Sequence, residues 1–158
     1  MNLIGQIINA MIAYYAGDVR RINHFLKVYG FAKAIGEMEG LDESTQEIIE
    51  IAALTHDIGI KNSEKKYNSS AGNYQQIEGP PEAKKLLEGL GIESGVIDRV
   101  CWLIAHHHIY TDIQGIDYQI LVEADFLVNF YEDNMSNDSV HKIFKTLSGK
   151  AILNAIYA

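Results

Sequence analysis

A chain of 158 residues, 47% apolar and 22% charged, has the length and composition of one globular domain, able to bury about two thirds of its unfolded surface without structural metals or disulfides. Its net charge of -8 argues against duplex nucleic acid as a partner, because that binding is driven by Lys and Arg displacing counterions from phosphates. Cys101 stands alone, which excludes an internal disulfide and fits a reducing cytoplasm; no run of about 18 apolar residues could span a membrane, and the opening Met1 to Asn9 lacks the basic start of a secretory signal.

The only prolines are Pro80 and Pro81, and long stretches repeat their apolar residues at helical spacing, so the chain is expected to be all-α, with about seven or eight helices in one domain over 1–158. The first helix spans about 3–15, through Leu3, Ile7, Met11 and Tyr15, and Gly17 ends it. Asp18 can cap a second helix over about 19–38. Its apolar arc, from Ile22 through Phe25, Val28, Ala32 and Ile35, is too broad for a surface helix. His24 lies on the line that continues to Val28, Phe31 and Ile35 and points inward, either as a core histidine bonded to a backbone carbonyl or toward a cleft. Arg20 and Arg21, one turn earlier, could reach the same cleft.

Ser44 and Glu47 read as a capping box for a third helix, whose run of Ile48, Ile49, Ile51, Ala52, Ala53 and Leu54 leaves almost no polar face. That buried helix delivers Thr55-His56-Asp57-Ile58-Gly59 at its C-terminal end. An adjacent His-Asp pair arises by chance in roughly a third of chains with this composition, so the context has to carry the argument. An unpaired Asp57 against an apolar face would cost several kcal/mol, and it faces the negative end of a helix dipole; a cation opposite it resolves both problems. Residues 59–79, rich in Gly, Ser and Asn with Lys61, Lys65 and Lys66 interleaved, read as one long loop, either a substrate-contacting lid or a mobile surface excursion.

Pro80 and Pro81 then suit the first turn of a helix over about 80–90. A helix over about 94–107 runs into His106-His107-His108, whose imidazoles point about 100° apart and cannot all serve one metal from regular helical geometry. In the helix over about 116–131, Asp125 follows Leu121 and Val122 at helical spacing and is aimed at the interior, whereas Glu123 is a supporting or solvated residue. Packing helices over about 138–147 and 150–157 complete the chain. The inward His24, His56, Asp57 and Asp125 make a nitrogen and oxygen donor set suited to a divalent metal, and a metal there can make water a nucleophile while neutralising a phosphoryl oxygen.

The order His24, His56-Asp57, Asp125 resembles the H…HD…D signature of the HD-domain phosphohydrolases, as does the wording around it: Asp18-Val19-Arg20-Arg21-Ile22-Asn23-His24, Ala53-Leu54-Thr55-His56-Asp57-Ile58-Gly59 and Val122-Glu123-Ala124-Asp125-Phe126-Leu127. The resemblance covers about residues 18–130. It implies an all-helical bundle and a metal-dependent hydrolase of phosphomonoesters or phosphodiesters, with one divalent metal (Mn, Fe, Co, Ni, Mg or Zn) held by His24, His56, Asp57 and Asp125. Asp57 would bridge to an optional second metal, for which His106 and His107 stand at the later of the family's two extra histidine positions. The earlier position reads Tyr74-Gln75-Gln76-Ile77-Glu78-Gly79, where Glu78 could serve as ligand or as general acid or base. Catalytic roles are expected for Asp57, Glu78, Lys61 and His106, and phosphate contacts for Arg20, Arg21, Lys65, Lys66 and His107. The implied partner is a small phosphorylated substrate, with no membrane involved and a homodimer open. A non-catalytic nucleotide-binding module and a di-iron oxygenase on the same fold are the competing readings.

Overall fold

Two helices with almost no solvent-facing side organise the chain. The computed structural model describes residues 3–158, with Met1 and Asn2 of the opening stretch outside the described residues. Along it run α1 (Leu3–Tyr14), α2 (Val19–Met38), α3 (Glu43–Thr55), α4 (Ile60–Tyr67), α5 (Gly72–Gly89), α6 (Ser94–His106), α7 (Ile116–Glu132), α8 (Asn137–His141) and α9 (Leu147–Ile156), and no strand occurs among the described residues. The expectation of an all-α fold holds. No helix is long and apolar enough to cross a membrane.

In α3, every residue from Ile49 to Thr55 is buried, and in α7 every residue from Asp117 to Val128. These two pack on each other and on α2, while α6 and α1 cover α3. Sequence explains the arrangement: Ile49, Ile51, Leu54, Ile120, Leu121 and Val122 leave no polar stripe, so both helices lower their free energy only with neighbours on every side. The α2 helix begins as expected, with Asp18 accepting a hydrogen bond from the Arg21 amide at 3.2 Å. For α3 the cap is Asp42, which accepts from the Thr45 amide at 2.7 Å, and not the Ser44 and Glu47 box. Asp42 wins because its side chain reaches an unpaired first-turn N–H from one step outside the helix.

The largest departure lies between 59 and 79. Instead of one loop, this stretch holds α4 and the first two turns of α5, joined by a short link after Asn68, whose left-handed φ of 54° ends α4. Pro80 and Pro81 lie inside α5 and do not begin it. The polar residues that resemble a loop are buried and bonded: Ser63 Oγ donates to the Gly59 carbonyl at 2.7 Å, Gln75 to the Ser70 carbonyl at 2.7 Å, and Glu78 accepts from Lys66 at 2.7 Å and Tyr67 at 3.1 Å. What draws α5 in is a backbone approach at two glycines. A Cβ on Gly59 would stand 2.7 Å from the Gly79 nitrogen, and one on Gly79 would stand 2.6 Å from Ile104 Cγ2, so both positions admit glycine alone without displacement.

Candidate metal centre

Three helices deliver the inward polar groups to one point. His24 comes from the second turn of α2, His56 caps the C-terminus of α3 with Asp57 following it, and Asp125 lies mid-way along α7. The His24 Nε2 atom lies 3.1 Å from Asp125 Oδ1 and 3.2 Å from Asp57 Oδ2. His56 Nε2 lies 3.2 Å from Asp57 Oδ2 and 3.3 Å from Asp125 Oδ1. The two Nε2 atoms face each other at 3.2 Å, and the four residues offer ligand atoms all within 4.8 Å of one another.

The far side of each ring fixes its orientation. His56 Nδ1 donates to the Ala53 carbonyl at 2.7 Å, and His107 Nδ1 donates to the Ile104 carbonyl at 2.8 Å. A carbonyl only accepts, so in each neutral ring the proton sits on Nδ1 and the Nε2 lone pair faces the carboxylates; hydrogens here are inferred from their partners. His24 Nδ1 is held in the same way by Glu132 Oε1 at 2.7 Å. The turn itself is pinned from behind by the Tyr15 hydroxyl, which donates to the Asp57 carbonyl at 2.8 Å.

Imidazole lone pairs aimed at carboxylate oxygens repel unless positive charge stands between them. The electrostatics express that demand. Burial works against charge on His24, but hydrogen bonds donated to the Asp125 and Asp57 carboxylates outweigh it and push the pKa up to about 11. Burial is likewise overcome at His56, where the charges of Asp57 and Asp125 raise the pKa to about 10. Both carboxyls resist the upward pull of burial, and the facing imidazoles hold them below the usual carboxylate range. The residues therefore fit a divalent cation: two carboxylates, two pre-oriented nitrogens, and charge that is incomplete without one.

A second group adjoins the first. Asp57, His107 and His108 also offer ligand atoms within 4.8 Å of one another, with His107 Nε2 3.4 Å from Asp57 Oδ1 and, although fully buried, without a hydrogen-bond partner among the described residues. His108 is less available. Its Nε2 meets Gln75 Oε1 at 3.1 Å, and because the Gln75 amide donates to Ser70, that oxygen can only accept a proton from His108. Burial and then the neighbouring His107 push its pKa down to about 4, leaving the ring neutral at pH 7.

Several expected site residues lie elsewhere. His106 faces away, its Nδ1 donating to the Trp102 carbonyl at 2.7 Å and its ring stacked on Trp102 at 3.8 Å, because a step of one residue along the helix turns it about 100° from His107. Glu78 is engaged by Lys66 and Tyr67 and does not line the cavity over the cluster. Lys61 donates to the Tyr14 carbonyl at 2.9 Å and lies over the Tyr14 ring, and Lys65 is exposed on α4. Arg20 and Arg21 do reach the cavity, the first loosely paired with Asp133 at 3.5 Å, the second held by Asp18 and Glu64. The cluster floors this cavity of about 250 Å³, whose other walls are Ile60, Ser70, Gln75 and His108 on one side and Asn129, Glu132 and Asp133 on the other. The sequence reading missed Glu132, Asn129 and His108. The first two follow Asp125 by seven and four residues, a spacing that puts all three on one face of α7.

Comparison with known proteins agrees with this geometry. No curated protein sequence matches the chain. Among solved structures, a protein described as a predicted HD superfamily hydrolase from an uncultured Thermotogales bacterium superposes with a TM-score of 0.71 over 99% of this chain and 91% of its own, at 20% identity, which shows a common fold. The family model for the HD domain matches residues 21–146, a span that holds all four converging residues. By that match, which extends over most of its length, the chain belongs to the HD domain family.

Proposed function

We propose that the chain is a metal-dependent phosphohydrolase acting on a small phosphomonoester or phosphodiester with water as the nucleophile. The observation that carries this reading is the convergence of His24, Asp57 and Asp125 at the floor of an open cavity with His56 buried directly beside them, each imidazole tethered through Nδ1 so that Nε2 faces the carboxylates. These four residues would hold one divalent metal, and Asp57 with His107 an optional second, with His108 in the place expected of His106. A metal bound there supplies the Lewis acidity that makes water nucleophilic at neutral pH and offsets charge on a phosphoryl oxygen.

The chain's own residues supply the rest. Arg20, exposed and weakly paired, can turn toward a phosphate, whereas Arg21 is more useful as a fixed positive charge at the mouth because Asp18 and Glu64 already hold it. Ile60 and the α4–α5 link narrow the opening and limit water on that side. Glu132 keeps the His24 ring oriented, with the Nδ1 proton directed at its carboxylate and Nε2 turned to the cluster. Replacing Glu132 by Ala is expected to weaken metal binding about 10- to 100-fold, with Gln, which still offers an oxygen acceptor, recovering part of the loss. Calorimetric titration of the stripped protein measures it, and equal affinities for all three proteins would refute the tether.

The decisive experiment pairs metal analysis of the purified protein with a phosphate-release screen before and after chelation. About one divalent ion per chain, with turnover lost on stripping and restored on reloading, is the expected result. Tight nucleotide binding without phosphate release would instead favour a regulatory module, and iron with O₂ consumption an oxygenase.

A further inference from the structure

The lining of the cavity bears on what the phosphate is attached to. Above the four converging residues, Ile60 is the only aliphatic side chain in the wall among the described residues, and no Phe, Tyr or Trp of these lines it. Sites that recognise a nucleobase do so largely by stacking it on an aromatic or apolar face, worth about 1–3 kcal/mol per base on single strands. Here that interaction is left to the His108 imidazole and the Arg20 and Arg21 guanidinium groups, the second of which is already held by Asp18 and Glu64. The volume, about 250 Å³, also falls below the range of pockets that enclose drug-sized ligands.

What the wall offers instead is hydrogen-bonding capacity that the protein leaves unused. Asn129 stands one turn beyond Asp125 on α7, half-buried against the cavity, and its side-chain amide has no hydrogen-bond partner among the described residues. Asp133 lies a further turn out, and its contact with Arg20 is long, at 3.5 Å, so both keep capacity for a ligand. Ser70 lines the same space from the α4–α5 link. An amide that both donates and accepts, next to a carboxylate that accepts, matches adjacent hydroxyl groups.

Resting on the phosphohydrolase reading, we infer that the substrate is a small hydroxyl-rich phosphate monoester, a sugar or polyol phosphate, whose phosphate lies over His24, His56, Asp57 and Asp125 and whose hydroxyls bond Asn129 and Asp133. The ester oxygen leaves as the sugar hydroxyl, taking a proton derived from the attacking water.

The test is phosphate release by the metal-loaded protein from ribose 5-phosphate, glucose 6-phosphate, glycerol 3-phosphate, the nucleoside 5'-monophosphates and p-nitrophenyl phosphate. The expected result is kcat/KM at least tenfold higher for one of the first three than for any nucleotide. Asn129→Leu, and Asp133→Ala at the exposed rim in case the first variant folds poorly, should each lower the ratio of kcat/KM for that substrate over p-nitrophenyl phosphate, by about tenfold for Asn129. A nucleotide as the best substrate, or an unchanged ratio in both variants, overturns the inference while leaving the phosphohydrolase reading intact. No release from any compound overturns monoester hydrolysis and this inference with it, leaving phosphodiester hydrolysis as the form of the proposed function to be assayed.

Discussion

Asp57→Ala is expected to yield a folded helical protein that retains little divalent metal and whose phosphate release falls by more than the roughly 100-fold typical of losing a ligand's supporting partner. Asp57 is the residue common to both groups of candidate ligands, within 3.2 Å of the His24 and His56 nitrogens and 3.4 Å of His107. Its removal leaves the His24 and His56 nitrogens facing Asp125 alone and takes from His107 the carboxylate that it faces. The fold should survive, because the contact that pins this turn, from the Tyr15 hydroxyl, goes to the backbone carbonyl of residue 57 and is untouched by the substitution. Metal analysis, circular dichroism and the phosphate assay on the same preparation check the result. Full metal content with full turnover would remove Asp57 from the mechanism.

A loss of similar consequence, but in stability, is expected for Glu123→Ala. This carboxylate is fully buried, yet far from being free to hold a metal: it accepts from Gln119 Nε2 at 2.6 Å, from the Lys145 and Thr146 amides at 2.9 and 3.0 Å, and from the Thr146 hydroxyl at 2.6 Å. Those amides lie at the start of α9, where Thr146 is the cap. Truncation strands them together with a hydroxyl in the interior, at about 1–3 kcal/mol for each group left unsatisfied, so a loss of about 3–5 kcal/mol is expected against a typical total of about 5–15 kcal/mol. Urea denaturation of metal-free protein measures it directly. A change below about 1 kcal/mol would mean that the network is replaced by water at little cost.

Much of this architecture is legible in the residues. Asp18 before a broad apolar arc located the start of α2, and the unbroken run from Ile48 to Leu54 marked α3 as central, because burial on every side leaves no other pattern. His24 and Asp125 could be aimed inward for the same reason, since helical phase relates them to apolar neighbours. Phase is no guide at His106 to His108, where α6 ends and the backbone leaves regular geometry, so His107 faces Asp57 as expected while His106 turns to Trp102 and His108 stands beside Asp57 in its place. The departure at 59–79 has another origin: polarity there marks buried hydrogen bonding and not solvent contact. Glu78, Gln75 and Ser63 are polar, buried and satisfied by partners that are adjacent only once α4 and α5 have packed. Lys61 illustrates the same point from outside, its ammonium drawn to a carbonyl on α1 rather than to the cavity.

The way the cluster draws on the chain also divides the molecule mechanically. Its contacts join positions 32 and 101 residues apart, on α2, α3 and α7, so an ion held there would staple together the helices that form the core. At a hundredfold excess over its Kd such an ion adds about 2.7 kcal/mol to global stability. Neither α4 nor α5 supplies any of the four residues; they rest on the staple through the glycine contact at Gly59 and Gly79 and through α6. Ion binding should therefore slow amide exchange in α3 and α7 while leaving α4 and α5 comparatively free to open, which would let the cavity admit and release a ligand without loosening its floor.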